Sequence, residues 1–170
     1  MNNRFGKDIA RFFILIALQV LMLDHVNLGG YINPNLYIFF ILLLPFETPG
    51  WLLLISSFLL GYGVDIFSNS TGLHAAASVF TAFARPWVIR WVGAPADYEA
   101  NLKPGIADMG FRWFMAYAGV LLLAHNAVMA LLDSFRFQEM GMILSRLLIS
   151  TLFTLLLVIV TEYLFMRRRK

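Results

Sequence analysis

A chain built from one long apolar run after another has few folds open to it. Here the runs extend from Ile9 to Leu23, Leu36 to Phe46, Trp51 to Val64, His74 to Trp91, Phe111 to Leu132 and Met142 to Phe165. Hydrophobic residues make up 60% of the sequence and charged residues 14%, with a mean hydropathy of +0.75. Those values exclude an ordinary soluble domain and make a bilayer the solvent. Hydrocarbon offers no hydrogen bonds, so a spanning segment must satisfy its backbone internally, which helices do. The expectation is an all-α, polytopic membrane protein, with residues 1–170 as a single integral membrane domain.

The number of spans turns on the runs at 36–46 and 51–64. Each is short against the ~20 residues needed to cross a ~30 Å core. They are either one broken span or two helices meeting at Pro49-Gly50. Charge decides between these, because Lys and Arg favour the cytoplasmic side. With the N-terminus and its Arg4, Lys7 and Arg11 inside, six spans also place Arg85 to Arg112 and the Arg167 to Lys170 tail inside. The loops at 24–35 and 65–73 then lie outside and carry no Lys or Arg, whereas five spans put a basic region outside. Six transmembrane helices with both termini cytoplasmic are therefore predicted. The first run resembles a signal sequence, but Asp24-His25-Val26-Asn27 follows it in place of a small-residue cleavage site, so it reads as an uncleaved span.

Several chemistries are excluded. There is no cysteine, hence no disulfide, thiolate metal site or cysteine nucleophile. His25, His74 and His125 stand in three different segments with no metal-ligand spacing, so neither a metal nor any other cofactor is expected. No G-x-S-x-G and no P-loop occurs, and no serine is seen paired with a histidine in a turn. Gly61-Tyr-Gly63-Val-Asp65 approaches the G-x-G-D of intramembrane aspartyl proteases, but Val64 is one residue too many and no second acid matches. The formal charge of +3, much of it in the tail, is no nucleic-acid footprint. The chain is expected not to be an enzyme.

Polar residues inside spans remain, and each invites an account because burying a charge in a bilayer is costly. They concentrate between Gly61 and His74, a stretch with an acid, a histidine, Gly61, Gly63 and Gly72. Asp65 ends the third span, either capping the fourth or pairing with another helix. His74, Ser78, Thr81 and Arg85 share one face of the fourth span, as a packed polar seam or a ligand site. Arg85-Pro86 suggests a kink with the guanidinium snorkelling to the inner interface. His125-Asn126 suggest interhelical hydrogen bonds, and Ser57-x-x-x-Gly61 a close helix approach. Arg146 sits about a turn into the sixth span and needs an acid or water; at similar depth, Asp65 is its expected partner, with His74 next in line for that acid. Glu162 and the basic tail read as an inner anchor attracted to anionic lipid. Asp65, His74, Arg85 and Arg146 are thus the candidate binding residues.

The central stretch resembles the MreD family, small polytopic rod shape-determining membrane proteins of bacteria. Pro34-Asn35 before the second run, Gly61 and Asp65 late in the third, and Gly72-Leu73-His74 opening the fourth carry the likeness, over about residues 34 to 90. The Gly93 to Gly110 connector is longer than the family pattern. The resemblance implies residence in the bacterial cytoplasmic membrane and a non-enzymatic role in cell shape and peptidoglycan synthesis. The implied partners are an MreC-like membrane protein, MreB filaments, a RodA-type glycosyltransferase and a class B penicillin-binding protein. The implied fold is similar to the substrate-binding subunits of energy-coupling-factor transporters, so a vitamin-binding transporter subunit is the alternative.

Overall fold

In a computed structural model, residues 2–23, 34–93, 103–133 and 140–167 are described. His25, the Gly29-Gly30 turn, the connector's 94–102, the 134–139 loop and the tail beyond Arg167 lie outside the described residues. The described chain is all-helical: α1 (Asn2–Leu18), continued by a π-helical turn at Gln19–Leu23; a 3-10 turn at Leu36–Ile38 leading into α2 (Phe39–Leu43); α3 (Gly50–Ser68); α4 (Leu73–Val92); α5 (Ile106–Met109); α6 (Phe111–Asp133); and α7 (Met140–Arg167).

Three of these helices are long and apolar enough to cross a membrane, over Gly50–Ser68, Phe111–Leu132 and Gly141–Leu164. Their outward faces carry large apolar side chains such as Ile55, Phe58, Leu123, Leu152 and Leu156. α4 matches them in length but holds His74, Arg85, Pro86 and Arg90, which dilute its apolarity. It continues through Pro86 as one helix. α4 packs against α3 on one side and α6 on another, and α6 packs in turn against α7.

The run predicted as a second span departs from expectation. It forms only the 3-10 turn and the five residues of α2, and every side chain from Leu36 to Leu44 is buried. Eight residues rise about 13 Å, under half a bilayer core of ~30 Å. α2 contacts α1 and α4, and the turn before it contacts α1 and α7. The segment is the centre of the core, its apolar residues facing protein where lipid was expected.

The connector, which had no assigned role, is structured where it is described. α5 contacts α6 and α7, and Lys103 Nζ reaches the Asp8 carboxylate of α1 at 3.2 Å. Glu162 is buried on α7, with its carboxylate against Gly105. It is an interior group at the connector's end of α7; the basic tail expected to anchor with it lies beyond Arg167, outside the described residues.

Candidate functional site

A short helix inside a bundle exposes unpaired N–H groups at its start and unpaired carbonyls at its end. In a dry interior each must find a partner, because leaving one unpaired costs about 1–3 kcal/mol. Both ends of α2 are satisfied by side chains from other helices. At the start, Gln19 of the π-helical turn after α1 accepts the Leu36 N–H at 2.9 Å and donates to Pro34 O at 2.8 Å. The Asn35 N–H donates to Thr154 Oγ1 of α7 at 3.2 Å, and Asn35 Nδ2 donates to Asn126 Oδ1 of α6 at 2.9 Å. At the end, the Tyr117 hydroxyl of α6 donates to Leu42 O at 3.0 Å. The Arg85 guanidinium of α4 donates to Leu44 O, and its Nε donates to the Tyr117 oxygen at 2.8 Å.

Arg85 is therefore no snorkelling residue. It is 2% exposed, and among the described residues no carboxylate pairs with it. Its charge is held by a helix C-terminus, where the carbonyl ends of the peptide dipoles favour a cation.

Between these ends lies His125, fully buried. The hydroxyls around the ring assign its tautomer. The Thr81 hydroxyl donates to Ala77 O, 2.7 Å away and one turn back on α4, so its oxygen faces His125 Nδ1 at 3.1 Å as an acceptor. The proton on the ring then sits on Nδ1, and Nε2 accepts from the Tyr37 hydroxyl at 2.8 Å. Thr151 and Thr154 behave as Thr81 does. Each donates to the carbonyl four residues earlier and turns its oxygen to a neighbour, Thr151 to Asn126 Nδ2 and Thr154 to the Asn35 N–H. Thr81 belongs to the seam expected on α4, whereas Thr151 and Thr154 are additions that the apolar run of α7 concealed.

The second locus is the α3–α4 turn. Asn69 closes α3 in the left-handed conformation at φ 54°, and Gly72 opens α4 at φ 85°, where glycine lacks the Cβ penalty. The Asp65 carboxylate accepts the backbone N–H of His74 at 3.1 Å and of Ala75 at 2.9 Å, so it caps α4 from outside the helix. Ser70 Oγ and His74 Nδ1, the latter at 3.0 Å, share the Oδ1 oxygen. One turn before Asp65, Gly61 lies directly against the α4 backbone. A Cβ there would stand 2.6 Å from Ala75 Cα and closer still to His74 O. Gly63 faces α1 instead, with Ile16 Cδ1 3.0 Å from where its Cβ would be.

Ser70, His74 and Asp65 meet although no such pairing was read in the sequence. They do not form a proton relay, which needs the serine and the acid on opposite ring nitrogens. Here Ser70 Oγ and Asp65 Oδ1 both lie 3.0 Å from Nδ1. The expected Asp65–Arg146 pair does not form: the carboxylate is taken by Ser70, His74 and Ala75, and Arg146 is exposed on α7 near Met142. His74, the next candidate for that acid, is the ionisable partner found.

The seam on α4 is real and divided. His74 serves α3, Thr81 serves α6, and Arg85 serves α2 and α6. Ser78 is buried in the same seam, and its hydroxyl and that of Ser57 on α3 have no hydrogen-bond partner among the described residues.

The arrangement defines a class: a helical bundle with three helices apolar enough to span a membrane, whose interior polar groups knit the helices together. Comparison with known protein families, characterised proteins and solved structures finds no match to the chain.

Proposed function

We propose that this protein is a non-enzymatic scaffold of the bacterial cell-elongation machinery, as its resemblance to the MreD family implies. It would lie in the cytoplasmic membrane with both termini inside, the chain making six passes of which α2 forms only part of the second. It would engage an MreC-like partner alongside MreB filaments, a RodA-type glycosyltransferase and a class B penicillin-binding protein. One observation carries the reading. The residues behind the resemblance are joints of the fold: Asn35 anchors the start of α2, Gly61 admits the α3–α4 crossing, and Asp65 and Gly72 set the start of α4. Their hydrogen-bonding capacity is committed to other helices, which suits a rigid body that presents a surface. A ligand site wants convergent polar groups with capacity to spare.

The test is depletion in a rod-shaped native host, together with affinity purification of the full chain from gently solubilised membranes. Rounded cells and co-purified MreC-like and penicillin-binding proteins are expected. Normal rods with a vitamin-uptake defect, or a vitamin retained on the purified protein, would transfer the assignment to a transporter subunit.

A further inference from the structure

All four tryptophans of the chain stand at one end of the bundle. Trp51 opens α3, Trp87 and Trp91 lie in the last two turns of α4, and Trp113 is in the first turn of α6. α3 and α4 are joined by the short Asn69–Gly72 turn and run antiparallel, so the start of one lies beside the end of the other. Trp113 Nε1 donates to Gly93 O at 2.8 Å and ties the start of α6 to the same end. Trp51, Trp87 and Trp91 are more than half exposed. Indoles favour the headgroup level of a bilayer, so this end marks one interface.

Two arginines stand among them. Arg90 follows Trp87 by three residues on the same face, its guanidinium carbon 4.7 Å from the Trp87 ring centroid. Its Nε donates to Pro86 O at 3.3 Å, and among the described residues its terminal nitrogens have no partner. Arg112, next to Trp113, is exposed and likewise has no hydrogen-bond or ion-pair partner among them. Among the described residues at this end, Asp8 is paired with Arg11 and Lys103, and Asp108 accepts the Lys103 N–H. Glu47, in the turn before α3, is exposed.

A guanidinium held against an indole, with its forked N–H donors free, matches a phosphodiester at the depth where the ring meets glycerol and acyl chain. We propose that Trp87, Arg90, Trp91 and Arg112 form a binding site for the headgroup of an anionic phospholipid. Arg90 and Arg112 take the phosphate, and the indoles seat the glycerol boundary. The site differs from the tail and from Glu162, and it stands whether or not the scaffold reading does.

Tryptophan emission reads this end alone, because every tryptophan is there. The full-length protein is placed in phosphatidylcholine nanodiscs with a minor fraction of phosphatidylglycerol brominated high in its acyl chain. Matched discs carry the bromine on phosphatidylcholine. Brominated phosphatidylglycerol should quench well above its matched control, and salt should reduce the excess. Each arginine contributes about fivefold to local enrichment and the pair about thirtyfold. Arg90→Gln with Arg112→Gln should abolish the preference, while Arg146→Gln at the opposite end should leave it. Equal quenching by the two lipids in the parent protein overturns the proposal, and that comparison needs no variant to fold. An undiminished preference in the double variant overturns it too, as does displacement by inorganic phosphate, which would indicate a free-anion site.

Discussion

Replacing Gly61 with alanine adds one methyl group where α3 lies directly against the α4 backbone. That methyl would sit 2.6 Å from Ala75 Cα, with His74 O closer, and both obstacles are backbone atoms. Ordinary carbon–carbon contact is about 3.5–4.0 Å, so the helices must part by about 1 Å. Overpacking of this kind costs about 1–3 kcal/mol. The same displacement draws His74 and Ala75 from Asp65, one turn away, and weakens a cap of about 0.5–2 kcal/mol. A total of about 2–4 kcal/mol corresponds to a melting-point loss of about 5–15 °C for a chain of this size. The assay is thermal unfolding of the full chain in mild detergent, followed by size-exclusion fluorescence. Gly119 is the internal control, since a Cβ there meets nothing within 4 Å in the interior of α6. Gly119→Ala should be neutral or stabilise by up to about 1 kcal/mol through helix propensity. Were Gly61→Ala to melt with the parent, or Gly119→Ala to fall as far, the crossing described above would be wrong.

In a double-mutant cycle, Asp65→Ala and His74→Ala should couple by about 0.5–3 kcal/mol in thermal melts, whereas Asp65 and Arg146 should be additive within about 0.5 kcal/mol. Arg85→Ala should destabilise by about 1–3 kcal/mol, because Leu44 O is left without a partner in the interior; unchanged stability would mean that α2 does not need this cap. His125→Leu removes the ring that meets the Tyr37 hydroxyl and the Thr81 oxygen and should cost about 2–4 kcal/mol, with Tyr37→Phe recovering part of it. For topology, a cysteine at exposed Asn69 should react with an impermeant thiol reagent on intact cells while cysteines at Asn3 and Lys170 are shielded; labelling at Lys170 alone of the two termini would defeat the six-pass arrangement.

The long helices were legible because apolar runs of their length leave no alternative, and the three most apolar ones emerge at the expected places. The fate of Leu36–Leu44 was not, because hydropathy measures avoidance of water and is blind to whether lipid or protein takes its place. Asp65 was found as a focus, and capping was one of two readings open for it. Pairing it with Arg146 overlooked that backbone N–H groups compete for a carboxylate, and that two of them lie beside it at the start of α4. Arg85 was misplaced for the mirror-image reason: a carbonyl terminus served as its counter-charge. Thr81 stands in the α4 seam that the spacing predicts, whereas Thr151 and Thr154 carry no such signature, since their function depends on which helix face turns inward.

The capping of α2 has a consequence for biogenesis. A five-residue helix has no means of entering hydrocarbon alone, since short helices are marginal even in water and its free backbone groups are costlier in lipid. Its start waits on Thr154, deep in α7, for the Asn35 N–H. In a chain that spans the membrane as proposed, the start of α2 gains this partner only once α7 has been made. The cap at the centre of the bundle is then completed last, after the helices that precede α7 in the chain. A nascent chain stalled before α7 would leave the Asn35 N–H without the Thr154 oxygen.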